Sequence, residues 1–450
     1  MRIGVVGTGH VGLVTCASLA SLGHDVVGAD SDITKIDLLN RGEVPFFEPG
    51  LPELIAEATA SGRLRFTHEI ATAVAGAEVV FISVGTPQRA TGEANLVAVE
   101  AAGRAVARHC TGRCLVVEKS TVPTGTARRL ARVLRMERPD LNGQLEVASN
   151  PEFLREGSAV DDALHPDRIL VGANSSQAHE TMRSVYRGLT DDGCEYVETD
   201  IATSELAKHA SNAFLALRIS FINALARICE RAGADVVSVA SVLGKDPRIG
   251  HHFLDAGLGY GGSCFPKDLQ ALSRISSQLG YEFPLLDEIA RINDEAIDAA
   301  IDKIREGVWN LEGKRIALLG LAFKPGTDDI RFAPALALAR RLLAEGSSVV
   351  GYDPVALDNA LAEVGGIEPA EDAYEAVRGA DCAVLCTEWP EILELDYERL
   401  RKLMAYPQFV DGRNRLDAER MRAAGFSYYA MGRPAFGLDF SLEAVAEPAS

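Results

Sequence analysis

Lysine is scarce: the chain of 450 residues has 9, against 36 arginines. A compact amine whose pKa responds to burial is not interchangeable with a guanidinium. Five of the nine, Lys35, Lys119, Lys208, Lys267 and Lys324, fall inside the motifs described below. Basic charge as a whole is short. The 45 Lys and Arg residues face 64 Asp and Glu, a formal net charge of −19. A field of that sign repels polyanions and argues against a nucleic-acid partner, while leaving room for a small anion held by a local cluster. Cysteine is sparse, with 8 residues, too few for a secreted disulfide scaffold. Two pairs at C-x3-C spacing, Cys110/Cys114 and Cys382/Cys386, sit in or beside apolar strand text. They read as core thiols, and no metal site is expected. No apolar run reaches the roughly 18 residues of a bilayer span. The opening text MRIGVVGTGHVG has no signal-peptide cleavage pattern and reads directly as a strand and turn, so a cytoplasmic location and no membrane partner are expected. What remains is an ordinary globular composition, 47% hydrophobic and 24% charged, which excludes a disordered chain.

Two or three domains are expected from the length. Through residue 200, short apolar runs alternate with helical text. Strands are predicted at 3–6, 26–29, 64–66, 79–84, 115–117 and 145–148, with helices such as 11–22 and 94–108 between them. This alternation implies βαβ units and a parallel sheet covered on both faces. Residues 203–232 then run thirty positions without Gly or Pro, with apolar residues at helical spacing. Such a helix spans about 45 Å, more than one small domain needs. It reads as a connector and dimerisation helix carrying Leu206, Phe214, Leu217, Phe221 and Leu225. Helical text continues to about residue 307. A second α/β region follows, with buried parallel strands predicted at 315–319, 349–352, 383–386 and 409–410.

Gly7-Thr8-Gly9-His10-Val11-Gly12 fits G-x-G-x-x-G, follows an apolar strand and opens a helix, the context that the mechanism of this motif requires. Its glycines let the backbone turn tightly and approach a pyrophosphate at the helix N-terminus. The second strand ends at Asp30, 18 residues beyond Gly12. A carboxylate there accepts from ribose hydroxyls and repels a 2′-phosphate, which selects NAD over NADP. Lys35 follows in the next turn, where it can flank the adenosine. A glycine turn in a ligand-free α/β domain is the weaker reading. The predicted strand 79–84 runs into Gly85-Thr86-Pro87, and 115–117 into Glu118-Lys119-Ser120-Thr121-Val122-Pro123. Both are carboxyl ends of parallel strands, where ligands bind in open α/β sheets. Thr86 and Thr121 are therefore candidate contacts to a nicotinamide or a reacting oxygen; alone they would be ordinary loop threonines.

Residues 150–157, Asn-Pro-Glu-Phe-Leu-Arg-Glu-Gly, read as a short capped helix, with Asn150 at the N-cap, Pro151 at the first position and Gly157 as the stop. Glu152 and Glu156 then share a face, where like charges repel unless chemistry uses them; a solvated acidic face is the alternative. On the long helix, Lys208 and Asn212 are also four apart, among small and apolar neighbours. Projecting together, an amine and an amide can stabilise an oxyanion; as ordinary surface residues they would do nothing. In Gly259-Tyr260-Gly261-Gly262-Ser263-Cys264-Phe265-Pro266-Lys267-Asp268, four of ten residues are Gly or Pro, so the segment reads as a loop that approaches a ligand closely. A nearby cation raises the thiolate fraction of a cysteine, which suits Cys264 to nucleophilic work. An inert thiol would more often sit on a regular apolar element. His251 and His252 are adjacent, share no helix face, and read as a packed or solvated pair.

Together these segments resemble the UDP-glucose 6-dehydrogenase family, within the broader nucleotide-sugar dehydrogenases, in consistent order from about residue 1 to 435. The specific markers are Asp246-Pro247-Arg248-Ile249-Gly250 running through the Cys264 segment, Phe323-Lys324-Pro325-Gly326-Thr327-Asp328-Asp329-Ile330-Arg331, and Asp411-Gly412-Arg413-Asn414. The resemblance implies an α/β fold of two Rossmann-like, doubly wound parallel-sheet domains joined by a long central helix and helical middle region. An NAD-binding domain would cover 1–200, a central dimerisation region with the catalytic cysteine loop 201–308, a nucleotide-sugar (UDP)-binding domain 309–436, and a flexible tail 437–450. The implied reaction is an NAD-dependent four-electron oxidation of UDP-glucose to UDP-glucuronate through a thiohemiacetal and thioester on Cys264. GDP-mannose or another nucleotide sugar is the alternative substrate. A nucleotide-binding regulatory protein without turnover is the alternative class, opposed by Cys264, Lys208, Asn212 and Asp268 occurring together.

Carried onto this chain, the resemblance has Lys208, Asn212, Thr121 and Asp268 organise the proton transfers, the oxyanion and the attacking water, with Glu152 assisting base chemistry. Gly7, Gly9, His10, Val11, Gly12, Asp30, Lys35, Thr86, Thr121 and Glu156 would meet the cofactor, with Lys267 and Arg331 approaching it. The nucleotide sugar would be held by Glu152, Phe153, Leu154, Arg155, Glu156, Lys208 and Asn212, by Arg248, by the loop Phe253, Leu254, Asp255, Ala256 and Gly257, and by Gly261, Lys324 and Arg413. One of the two arginines Arg248 and Arg413 would act across a subunit boundary of a homodimer or higher homo-oligomer. Gly320-Leu321-Ala322-Phe323-Lys324-Pro325 keeps one glycine of the fingerprint, which argues against a second NAD site. Phe332 stands where a polar side chain is expected.

Overall fold

The computed structural model describes residues 1–89 and 92–435; the expected tail at 437–450 lies outside them. The chain divides into two compact units: Met1–Phe214 with Lys267–Leu286, and Leu215–Pro266 with the described part of Asp287–Ser450.

The first unit is built on eight strands: β1 Arg2–Val6, β2 Asp25–Ala29, β3 Leu64–Thr67, β4 Val79–Ile82, β5 Cys114–Glu118, β6 Leu145–Ser149, β7 Arg168–Ala173 and β8 Glu195–Thr199. Their order is β3-β2-β1-β4-β5-β6-β7-β8. The Val/Ile-rich strands β4 and β5 are buried along their whole length, as expected where helices cover both faces. All six predicted strands of this unit form, within a residue or two. One expectation is corrected: β7 runs antiparallel to β6, pairing Ala148 with Ala173 and Ser149 with Gly172. The connection between them is spent on irregular backbone and the six-residue helix Ala159–Leu164 rather than on a full crossover helix. Edge strand β8 carries no fully buried residue, so no apolar run announced it. The sheet reverses order between β1 and β4, and the open crevice of such a sheet lies there, at the carboxyl ends.

The second unit carries an all-parallel sheet of β9 Arg315–Leu319, β10 Ser348–Tyr352, β11 Ile367–Pro369, β12 Cys382–Leu385, β13 Gln408–Asp411 and β14 Ser427–Ala430, ordered β11-β10-β9-β12-β13-β14. Sequence reading missed the short β11 and β14. Cys110, Cys114, Cys382 and Cys386 are buried thiols.

The longest helix, Ile201–Ala232, has 32 residues. By length and composition alone it could cross a membrane: one 18-residue window averages a hydropathy of 1.3, and 44% of that window is buried inside the molecule. Several of the helix's polar side chains bond to protein groups. His209 bonds the Val122 carbonyl, Ser220 donates to the Ile289 carbonyl, and Asn223 Oδ1 accepts from Gly257 N–H.

Candidate active site

In the first unit, the turn at residues 7–9 joins β1 to the helix His10–Ser21. Gly7 has φ +96°, the left-handed region that favours glycine. A Cβ on Gly12 would stand 1.9 Å from the Gly7 carbonyl oxygen, whereas a Cβ on Gly9 would meet nothing within 4 Å. The loop is thus closed underneath and open outward. At the end of β2, Asp30 Oδ2 accepts from Thr8 N–H at 2.9 Å, Thr8 Oγ1 at 3.0 Å and Lys35 Nζ at 3.0 Å. Burial pushes the Asp30 pKa up, but the Asp32 and Thr8 amides and Lys35 outweigh it and hold it below the usual range. An open glycine cradle on a helix N-terminus, with a fixed carboxylate 20-odd residues on, fits a dinucleotide with an unphosphorylated ribose. Beside it, Thr86 Oγ1 donates to the Thr121 carbonyl at 3.0 Å, tying together the loops that follow β4 and β5.

Residues 150–157 are not the expected helix; they are irregular and end in a turn. Asn150 cannot cap because its side chain is engaged elsewhere. Its Oδ1 accepts from Lys119 Nζ at 3.1 Å and Tyr186 OH at 2.6 Å, and its Nδ2 donates to the Leu170 carbonyl at 2.8 Å. Burial pushes the Lys119 pKa down to about 8. Glu152 and Glu156 therefore do not share a helix face. Instead Glu152 turns inward, its Oε1 3.2 Å from Lys208 Nζ, with both side chains nearly fully buried. Lys208 also lies 5.1 Å from the centre of the Phe153 ring. One turn along, Asn212 Nδ2 donates to Asp268 Oδ2 at 2.5 Å, and Lys267 Nζ meets Asp268 Oδ1 at 2.7 Å. Burial acts to raise the Asp268 pKa, but Lys267, His209 and Lys208 together hold it below its ordinary value. Lys208 and Asn212, read as a pair on one face, are thus each paired with a buried carboxylate. Arg155 is clamped on Asp162, which receives both its backbone N–H and its guanidinium.

In the second unit the glycine-rich loop ends at Ser263. Cys264 was expected inside that loop but is the first residue of the helix Cys264–Gln278. This is a correction with chemical content, because a helix N-terminus favours an anion and so lowers the pKa of a thiol. On that helix Asp268 is one turn beyond Cys264. Each glycine before it lies tight against a neighbour. A Cβ on Gly261 would stand 2.4 Å from the Phe332 carbonyl, and one on Gly259 2.6 Å from Asn293 Oδ1. Phe265 packs edge-on against Tyr260 at 5.8 Å. A cavity of about 430 Å³ is lined by Phe253, Asp255, Ala256, Gly257, Glu388 and Arg413, among others. Leu254 points instead into a small core with Ile222 and Val236. Arg413 Nε donates to Glu388 Oε2 at 2.7 Å. Burial works against both charges, but their attraction holds Glu388 below and Arg413 above the ordinary value. Arg331 chelates Asp329 and Arg248 chelates Asp246; the Arg248 side chain is 87% exposed. Lys324 lies 5.5 Å from the Phe323 ring.

Three family profiles match in order: the NAD-binding domain of the UDP-glucose/GDP-mannose dehydrogenase family over residues 1–190, its central domain over 202–295 and its UDP-binding domain over 317–418. The chain belongs to the UDP-glucose/GDP-mannose dehydrogenase family. It is 45% identical to a UDP-glucose 6-dehydrogenase of Rhizobium meliloti, over 96% of this chain and all of that protein. Among solved structures it resembles a UDP-glucose dehydrogenase of Pyrobaculum islandicum, with TM-score 0.89, 39% identity, and coverage of 96% and 98%. It also resembles a UDP-D-ManNAc dehydrogenase of Pyrococcus horikoshii, with TM-score 0.84, 30% identity, and coverage of 96% and 99%. As a member of this family it is an NAD-dependent oxidoreductase with a nucleotide sugar as its small-molecule ligand.

Several residues of the family's NAD-binding and UDP-binding domains escaped sequence reading. Lys119, Asn150 and Tyr186 form one buried network, yet only the lysine's rarity hinted at it. Glu48, in the Gly/Pro-bounded text Glu48-Pro49-Gly50, is buried and accepts two backbone amides. Glu388 had no signal, because its partner Arg413 is 25 residues away in sequence.

Proposed function

We propose that this chain oxidises the C6 alcohol of UDP-glucose to the carboxylate of UDP-glucuronate with two NAD per sugar, in the cytoplasm and as a homodimer or higher oligomer. The NAD-binding part is assigned to 1–200, the cysteine-bearing central part to 201–308 and the UDP part to 309–436. Gly7, Gly9, Gly12 and Asp30 hold the dinucleotide, and Arg413 with the loop at 253–257 holds the nucleotide sugar. The cofactor's chemistry is hydride acceptance, required once at each oxidation level. The chain's own residues do the rest. As the alcohol becomes an aldehyde, its hydroxyl proton passes toward the Lys208–Glu152 pair. The Cys264 thiolate then forms an S–C bond to the aldehyde carbon, and the resulting oxyanion is held by Lys208 and Asn212. Loss of the second hydride from that carbon leaves a thioester. Water adds to it, Asp268 accepts the proton, and the C–S bond breaks to return the thiolate and release the acid.

The observation that carries this reading is the setting of Cys264. It opens a helix, one turn before a buried Asp268 that grips Asn212. A simple alcohol dehydrogenase needs no such nucleophile. The oligomer reading rests on the exposed Phe214, Phe221 and Ile228, spaced by sevens along the long helix. The test is NADH formed per UDP-glucose consumed, with mass spectrometry of the protein during turnover. Two NADH and a protein-bound acyl adduct are expected, and Cys264→Ala should make no acid while still binding both ligands. One NADH per sugar, or acid from Cys264→Ala at the native rate, refutes the covalent route. Light scattering at micromolar concentration reads the assembly, and a monomer refutes it.

A further inference from the structure

One carboxylate ties the cofactor loop to the segment assigned to the sugar. Glu48 is 2% exposed. Its Oε2 accepts from Gly157 N–H at 2.7 Å and its Oε1 from Ala159 N–H at 2.8 Å. The same Oε2 lies 2.8 Å from Nε2 of His10, the fourth residue of the glycine motif and the first of its helix. The His10 ring is in turn stacked on Phe46, with centroids 4.6 Å apart and planes 13° apart. His10 is thus set between a ring on one side and a buried acid on the other. The segment that Glu48 grips is held at further points. Glu152 Oε2 accepts Leu154 N–H, Arg155 is clamped on Asp162, and Glu152 reaches Lys208.

We propose that Glu48 is a positioning residue that couples cofactor occupancy to the placement of residues 152–159, and through them to nucleotide-sugar affinity. The sugar half of this statement rests on the proposed function; the link to residues 152–159 does not. A pyrophosphate on the N-terminus of the helix His10–Ser21 puts negative charge beside His10. His10 meets that charge on one side and the Glu48 carboxylate on the other, and Glu48 holds the Gly157 and Ala159 amides. A ligand shifts such an equilibrium only through a differential contact, and His10 supplies it. The coupling is reciprocal, so bound sugar tightens the cofactor by the same factor.

NADH replaces NAD in the test, so that no turnover occurs. In the full-length protein, amide exchange of peptides covering 152–162 should slow about fivefold or more when NADH saturates, the low end of ordinary coupling. UDP-glucose should bind tighter by a similar factor in calorimetry, with GDP-mannose titrated alongside. His10→Phe keeps the ring on Phe46 and removes Nε2. It should bring both ratios to about one, and Glu48→Gln should do the same. If NADH leaves exchange at 152–162 unchanged in the native protein, or slows it equally in folded His10→Phe, the proposal is wrong. Binding of GDP-mannose in place of UDP-glucose would refute the substrate reading alone, and the coupling is then read on GDP-mannose and on exchange.

Discussion

Replacing Glu118 with glutamine should change how stability depends on pH, with a size that follows from burial. Glu118 ends β5 and is 1% exposed; among the described residues neither carboxyl oxygen accepts a well-formed hydrogen bond, and Ser120 nearby offsets its burial only in part. Burial, with Glu205 adding to it, pushes its pKa from the ordinary 4.5 up to about 8. Between those two values the folded protein keeps this proton and the unfolded chain releases it. The folded state therefore binds more protons, and stability falls as pH rises through the window. The slope is about 1.4 kcal/mol per pH unit, or about 5 kcal/mol across the window as an upper bound. Lys119 next to it acts in a separate window. Burial lowers its pKa from 10.5 to about 8, so it makes stability rise with pH only above about 8. Glu118→Gln keeps the shape and removes the titration. The stability difference, variant minus native, should grow steadily from pH 5 to pH 8 and then level off. Both tryptophans, Trp309 and Trp389, lie in the second unit, so urea unfolding is followed by far-ultraviolet circular dichroism rather than indole fluorescence. A difference independent of pH would show that Glu118 ionises in the folded protein and that the burial argument is wrong.

Asp30→Ala should reduce the preference for NAD over NADP by at least about tenfold, read as the ratio of kcat/KM values, because the carboxylate facing the ribose is gone. Asn212→Ala should lower kcat by about 10²–10³-fold, the usual cost of one oxyanion donor, with a smaller change in KM. Glu388→Ala leaves the partly buried Arg413 without its counter-charge and should cost about 1–3 kcal/mol of stability in the second unit; here indole fluorescence is the probe, and an unchanged midpoint counts against the ion pair.

The glycine motif, Asp30 and the alternation of strands and helices were legible in the sequence because each depends on neighbours in the chain. A backbone turn needs glycine at Gly7 and Gly12, and a doubly buried strand must be apolar whatever surrounds it. The nucleophile was legible as a residue type but not in its setting. Gly and Pro density suggested a loop around Cys264, and only the folded chain starts a helix there, while the glycines before it pack tightly against Asn293, Phe323 and Phe332. Segment 150–157 shows the opposite failure. Its text has every helix signal, yet Asn150 is drawn into the Lys119–Tyr186 network and Glu152 into a pair with Lys208, contacts across 31, 36 and 56 positions. Local propensity is worth tenths of a kcal/mol per residue, whereas a buried polar group left without its partner costs about 1–3 kcal/mol, so the distant partners decide. The triple use of Glu48 is of the same kind. Sequence shows an acid beside a proline and a glycine, and tertiary structure alone joins it to His10 and to residues 157 and 159.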